Sequence, residues 1–300
     1  MNRKRVNRLT KKTPYGFIAI CTIPAIVMTI IFMIIPTVQA LIMSFTNATG
    51  MGEQNDFIAL ENYQYMFGDK FFIMALKNTF KLMLVVPVIT LFLGLVLGFV
   101  LTQTKLKERG VYRSVLFFPS IISLTVVAIV WSFIFHPNAG TVNNVLTNLG
   151  LESLTRDWLG DGSVALWCIA ATLVWQAMGY YMVMYIAAID GISPEIYEAA
   201  TVDGASQLKK FFCITMPLLK DIIGITFVLS LSGTINLSFV IVTLMTGGGP
   251  AGASSVLLQY MYIQAFINSN FGYAMAIAVF TLLISIVLSL ISRRLTNKSS

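Results

Sequence analysis

One histidine and three cysteines are all that 300 residues offer in imidazoles and thiols, and only 13 residues are acidic. Cys21, Cys168 and Cys213 have no C-x-x-C spacing and offer neither a disulfide framework nor a metal site. His136 stands alone beside Pro137, and one imidazole makes neither a metal centre nor a triad. The carboxylates are dispersed, leaving no pair for acid/base catalysis. No G-x-x-x-x-G-K-[ST] stretch is present to cradle nucleotide phosphates. Gly247-Gly248-Gly249 lacks the following lysine and reads as a flexible turn. Charge is scarcest of all, with 11% charged residues against 57% apolar ones and a mean hydropathy of +0.80. A water-soluble globule cannot hide that much hydrocarbon, so the class is a polytopic, all-α membrane protein.

What is present are six runs nearly free of charge, each long enough at about 1.5 Å per residue to cross a roughly 30 Å hydrocarbon core. They cover residues 15–45, 79–103, 112–135, 164–189, 222–245 and 271–292, after a basic tail over 1–14. The run from Phe17 is too long for a signal segment and lacks a small-x-small cleavage site, so it reads as a retained first span. The net charge of +7 raises the question of nucleic acid, which the placement of the cations answers. The tail carries Arg3, Lys4, Arg5, Arg8, Lys11 and Lys12; the second connection Lys105, Lys107, Arg109 and Arg113; the fourth Lys209, Lys210 and Lys220; the end Arg293, Arg294 and Lys298. These are sixteen of twenty basic residues, and putting them on one side gives six spans with both termini cytoplasmic. Glu53, Asp56, Glu61, Asp69, Glu152, Asp157 and Asp161 then lie outside. Basicity is topology here, and nucleic acid is not an expected partner.

Prolines 24, 36, 87 and 119 should kink or shorten their spans, and Gly94 with Gly98 permits close helix contact in lipid. The fourth connection, residues 191–217, has a sharper pattern. Ser193 can cap a helix opened by Pro194 and running to about Val202, with Glu195 in its first turn. Asp203-Gly204 supplies the residue type that tolerates positive φ, and Ser206 can cap a second helix through Phe211 toward Met216. Two short helices with a bend between them result. Periodicity alone leaves open whether they form a docking surface or a merely amphipathic interfacial loop.

Glu198-Ala199-Ala200, Gly204, Ile214 and Pro217, with Asp203 and Ala205, resemble the "EAA" coupling loop of the permease subunits of binding-protein-dependent ABC importers. Asp221 departs from that pattern, standing where many members have a second proline. Other segments resemble the sugar-transport branch of the family: Ser44-Phe45, Asn78-Thr79, Trp131 to Gly140, Asn143-Asn144, Trp158-Leu159-Gly160, Trp175-Gln176 with Gly179, Thr246-Gly247-Gly248-Gly249-Pro250 and Gly272-Tyr273. The resemblance implies a type I importer permease fold in a bacterial or archaeal cell membrane. It implies cytoplasmic ABC ATPase subunits that receive the elbow and consume the ATP, a second permease subunit, like or unlike, and an extracytoplasmic solute-binding protein. It further implies that Ala199 and Ala200 seat in a groove of the ATPase, Glu198 and Asp203 hold polar contacts, and Gly204 makes the bend. No cofactor is expected on this chain beyond surrounding lipid.

Solute-path residues must be polar yet lie within spans, because uncompensated polar groups in hydrocarbon normally face a bundle interior or a wet cavity. Gln176, Tyr180 and Tyr181 in the fourth span qualify, as do Ser230, Ser232, Thr234, Asn236 and Ser238 in the fifth, although the hydroxyls could equally bond their own helix. No Asp, Glu, Lys or Arg lies in the middle of a span, which weakens the rival reading of an ion-coupled secondary transporter. A membrane-embedded enzyme would need convergent ionisable groups. The sugar branch commonly has an acidic residue after the phenylalanine where this chain has Phe239-Val240. Neutral sugars remain the solute that the resemblance implies.

Overall fold

In hydrocarbon every backbone N–H and C=O must be satisfied within the protein, so apolar runs of this length fold as helices. The computed structural model describes residues 15–50, 55–104 and 107–297; the basic tail, Glu53, Lys105 and Lys298 lie outside the described residues. The first span is α1 (Tyr15–Thr29), a widened π turn over Ile30–Ile34, and α2 (Ile35–Met43). The widening has a local cause. Pro36 has no N–H for the carbonyl four residues back and its ring crowds that carbonyl, and the Ile35 N–H reaches Ile30 instead. Pro24 lies inside α1 without breaking it.

The short α3 (Glu61–Gly68) leads into α4 (Lys70–Gln103), 34 residues or about 50 Å of helix. Its outer turns, Lys70 to Asn78, precede the expected start at Thr79. Lys70 and Lys77 mask them in a hydropathy reading, yet beyond the membrane core such charges are tolerated. The third crossing is not one kinked span over 112–135. It is α5 (Arg109–Ile121) and α6 (Leu124–Ile134), which meet at 99°. The break follows Pro119 by three residues, at Ile122, whose backbone is extended. Among the described residues five helices are long and apolar enough to cross a membrane, and the bent pair makes six.

Beyond it come α7 (Thr141–Asn148), a 3₁₀ turn over Glu152–Leu154, and α8 (Ala165–Ile189). The fourth connection holds α9 (Pro194–Val202), α10 (Gln207–Lys210), a π turn over Phe211–Thr215 and α11 (Met216–Leu218). This π turn also ends two residues before a proline, Pro217, repeating the arrangement at Pro36. The remaining elements are α12 (Lys220–Met245), α13 (Leu257–Tyr262) with a π turn over Ile263–Ile267, and α14 (Phe271–Asn297). The isolated bridge between Thr46 and Phe57 is the β pairing found among the described residues.

α4 and α8 form the central pair. A Cβ on Gly94 would lie 3.1 Å from the Met182 nitrogen, and one on Gly98 3.3 Å from Tyr185 Cβ, so the two glycines set how closely these helices meet. α5 lies still closer on α8: a Cβ on Gly179 would lie 2.0 Å from the Leu116 carbonyl oxygen. α6 packs instead on α12, and Leu82, Val127, Ile169, Leu173 and Ile241 fill the core between α4, α6, α8 and α12. The first span rests against α14 and buries none of its residues from Ile18 to Met43.

The outer end is closed by polar hubs. Asp69 accepts the Phe71 N–H (2.9 Å) at the start of α4, and its other oxygen accepts the hydroxyls of Tyr260 (2.5 Å) and Tyr273 (2.7 Å). Burial, then the Asp69 carboxylate, pushes the Tyr260 phenol well above its ordinary pKa. Asn143, also buried, donates to the carbonyls of Pro137 (2.7 Å) and Arg156 (2.9 Å) and accepts the Trp158 indole N–H (2.7 Å). His136 Nδ1 accepts the N–H groups of Asn138 and Ala139, a turn-forming role. The Gly247–Gly249 segment forms the expected turn, closed by the Gly249 N–H on the Thr246 carbonyl (3.0 Å), and the stretch after it is tied to α4. Asn78 donates to Ala253 (2.8 Å) and Ser255 (3.0 Å), Thr79 accepts the Leu257 N–H (2.9 Å), and Gln259 donates to the Gly247 carbonyl (2.9 Å). Glycine serves close approach here, since a Cβ on Gly248 would lie 2.8 Å from Gln259 Oε1.

Candidate functional site

The elbow begins where α8 ends. Asp190 at the C-terminus of α8 accepts both of its bonds from the Arg109 guanidinium, at 3.0 and 3.1 Å, tying the first residue of α5 to the entrance of the elbow. Ser193 holds the cap position of α9, but its hydroxyl makes no capping bond, contrary to expectation; Pro194, which needs no N–H partner, opens the helix. At the other end Gly204 adopts φ +74°. Its N–H bonds the Thr201 carbonyl (3.1 Å) and the Ala205 N–H bonds the Ala200 carbonyl (2.8 Å), the paired closure of a glycine-terminated helix. Ser206 then caps α10, accepting the Lys209 N–H at 3.3 Å.

A chain of polar contacts holds the two short helices together from within. Lys210, only 6% exposed, donates to Thr201 Oγ1 at 2.7 Å, and Thr201 donates to the Tyr197 carbonyl at 2.7 Å. The Tyr197 and Thr215 hydroxyls are 2.9 Å apart, and Thr215 donates to the Lys210 carbonyl. Burial raises the Tyr197 pKa, the hydrogen bond with Thr215 offsetting part of the effect. Below this network Phe211 meets Phe99 of α4 at 5.2 Å, and Phe211, Ile214 and Leu219 join Leu95, Phe99 and Tyr185 in one apolar cluster. The underside of the elbow is thereby rooted in the bundle. Its other side is open: Glu198, Ala199, Asp203, Gly204 and Pro217 are exposed, and so are Val202 at 89% and Leu208 at 71%. Ala205 is half-buried. Ala200 turns inward at 9% exposure, so of the two alanines Ala199 faces out.

The solute-path candidates separate into two groups. Gln176, Tyr181, Ser230, Thr234 and Ser238 are buried within the bundle. Thr234 and Ser238 donate to carbonyls of their own helix. Near Gln176 the ladder of α8 is spliced: Ser120 of α5 accepts the Tyr180 N–H (3.1 Å) and donates to the Gln176 carbonyl (2.8 Å). Tyr180 is exposed, with its ring 5.2 Å from that of Tyr181. Ser232 and Asn236 are also exposed, one turn apart in the middle of α12, and Asn236 donates to the Ser232 carbonyl at 3.1 Å. With Thr281 and Ser285 of α14 they line a recess of about 260 Å³ that Leu258 also borders. Thr281 and Ser285 escaped the sequence reading, although their i, i+4 spacing of hydroxyls in an apolar span is the same signal that marked Ser232 and Asn236. Ser120 and the Arg109–Asp190 pair were not marked as contacts by the sequence, because their partners lie 56 and 81 residues away, and Lys210 was marked only as a cation that sets topology.

Comparison with known proteins agrees with this arrangement. Residues 69–298 match the family described as binding-protein-dependent transport system inner membrane component. The "Probable ABC transporter permease protein YurN" of Bacillus subtilis is 36% identical over 95% of this chain and 96% of its own length. The diacetylchitobiose uptake system permease protein NgcF of Streptomyces coelicolor is 32% identical over 95% of this chain and 83% of its own. A chain in the crystal structure of a bacterial ABC transporter involved in the import of alginate superimposes with a TM-score of 0.83 at 22% identity. The match covers 94% of this chain and 96% of that one, a likeness of fold.

Proposed function

Because the chain belongs to the family of binding-protein-dependent transport system inner membrane components, a multi-pass inner-membrane permease, we propose that its elbow is the seat of a separate cytoplasmic ABC ATPase. The observation that carries this is the contrast between the two sides of the elbow. Its underside is rooted in α4 and α8, while Val202 and Leu208 stand out beside Glu198 and Asp203. Apolar side chains so exposed on a fixed bend, ringed by carboxylates, suit a protein partner. In this reading residues 15–300 form the permease domain after a cytoplasmic tail over 1–14. The segment 191–217 is the coupling loop, and Glu198, Ala199, Ala200, Asp203, Gly204, Ala205, Ile214 and Pro217 form or support the contact.

The chain binds no ATP itself and works with a second permease subunit. Two ATPases close on ATP, carry the elbows with them, and turn the spans from inward-open to outward-open. An extracytoplasmic binding protein then delivers solute along a path that includes Gln176, Tyr180, Tyr181, Ser230, Ser232 and Asn236. The solute is a neutral sugar: a relative is named for diacetylchitobiose uptake, and the recess beside Ser232 has hydroxyls and an amide but no charged side chain. Tagged protein expressed with its cognate ATPase should recover that ATPase and show hydrolysis stimulated by loaded binding protein. Failure to recruit a nucleotidase, together with uptake that survives ATP depletion and collapses with the ion gradient, would establish the secondary-transporter alternative instead.

A further inference from the structure

Four aromatic rings continue the polar face of α12 toward the outer end of the molecule. Ser232, Asn236 and Phe239 are spaced i, i+4, i+7 and share one helix face. Phe239 meets Tyr262 at the end of α13 with centroids 5.7 Å apart, Tyr262 meets Phe266 at 4.9 Å, and Phe266 meets Phe271 at the head of α14 at 5.7 Å. Tyr262 is 39% exposed and Phe266 61%.

Resting on the reading above, we infer that these rings form a stacking track for pyranose units that ends in the recess held by Ser232, Asn236 and Thr281. A pyranose has one face of C–H groups and a rim of hydroxyls. The C–H face matches an aromatic surface, and the rim needs paired donors and acceptors without net charge. The track supplies rings at steps of 4.9–5.7 Å, and the recess supplies hydroxyls and an amide. Lipid does not suit the same surface, because exposed Ser232 and Asn236 at mid-span would set a hydroxyl and an amide against acyl chains, with the amide met only by a carbonyl of its own helix. An acidic or basic solute does not suit it either, since no Asp, Glu, Lys or Arg borders the recess. An interfacial aromatic belt would account for the rings alone, but not for Phe239 standing one turn beyond Asn236 on the face of α12 that lines the recess.

The test uses the complete transporter in nanodiscs, trapped with nucleotide and vanadate, and a panel of neutral di- and trisaccharides with uronic-acid disaccharides as controls. Saturating the aromatic protons of the protein should transfer magnetisation to ring C–H protons of neutral members and not to the uronates. Tyr262→Leu and Phe239→Leu should each weaken the transfer about tenfold, near 1.4 kcal/mol per ring, while Tyr262→Phe retains it. No transfer to any neutral member, transfer to lipid alone, or equal transfer in Tyr262→Leu overturns the track. The importer reading stands apart from this result: it fails only if the same preparation shows no hydrolysis stimulated by loaded binding protein.

Discussion

Gly204 offers a clean separation between the shape of the elbow and what the elbow touches. Its φ of +74° lies in the left-handed region, and a Cβ built there would meet no atom within 4 Å. Any penalty within this chain is therefore backbone strain and not a clash. An L-residue pays about 1–2 kcal/mol for that conformation, asparagine less, and a β-branched residue more. Such a cost shifts the ratio of bent to unbent elbow roughly five- to thirtyfold. The series Gly204→Asn, Gly204→Ala and Gly204→Val should then lower uptake per ATP hydrolysed in that order, with the protein still reaching the membrane. Proteoliposomes reporting hydrolysis and solute entry together would show the ratio fall progressively. Equal, severe loss in all three would mean that a partner fills the space beside Gly204. Unchanged coupling in Gly204→Val would refute the assigned role of the bend.

Other outcomes follow from packing and pairing. Gly179→Ala should destabilise the protein by about 1–3 kcal/mol or more, because its methyl would collide with the Leu116 carbonyl, whereas Gly233→Ala, with open space around it, should be neutral or stabilising by about 1 kcal/mol. Melting of the detergent-purified variants checks both, and an unaltered Gly179→Ala would discredit the close contact of α5 with α8. Arg109→Ala removes a half-exposed ion pair and should change stability by less than about 1 kcal/mol, yet reduce coupled uptake. Uptake should recover when Arg109→Asp is combined with Asp190→Arg, and no recovery would mean that the pair does not position the elbow. Asn143→Ala leaves the Trp158 indole N–H without its acceptor at a cost of about 1–3 kcal/mol, and limited proteolysis should then open the segment from Pro137 to Asp161 first. Unchanged cleavage would remove Asn143 from its place as the organiser of that segment.

The spans were legible because hydrocarbon imposes one rule on composition, and the elbow because Pro194, Gly204 and Ser206 carry local conformational preferences. Other features arise only between distant segments. Pro119 announced a disturbance, but nothing local separates a kink from a 99° break whose two arms lie on α8 and on α12. Pro36 promised a kink, and the chain answered with a π turn placed just ahead of it; the same turn precedes Pro217. The bonds around the glycine-rich turn were not legible: Gln259, which holds the Gly247 carbonyl, lies beyond it, and Asn78 and Thr79, which hold the stretch from Ala253 to Leu257, lie about 170 residues earlier in the chain. Polarity within a span marked Ser232 and Ser230 alike, whereas only the packed bundle shows one facing out and the other in.

The divided third crossing has a mechanical consequence. Its inner arm is bolted to α8 at two points, Arg109–Asp190 and Ser120–Gln176, while its outer arm travels with α12. A tug on the cytoplasmic knuckle thus drags the inner arm along as cargo, and any slippage between the two walls is concentrated at the short joint of Ile122 and Ser123. In the proposed cycle that joint would serve as a knee, letting the inner wall swing without shearing the outer one.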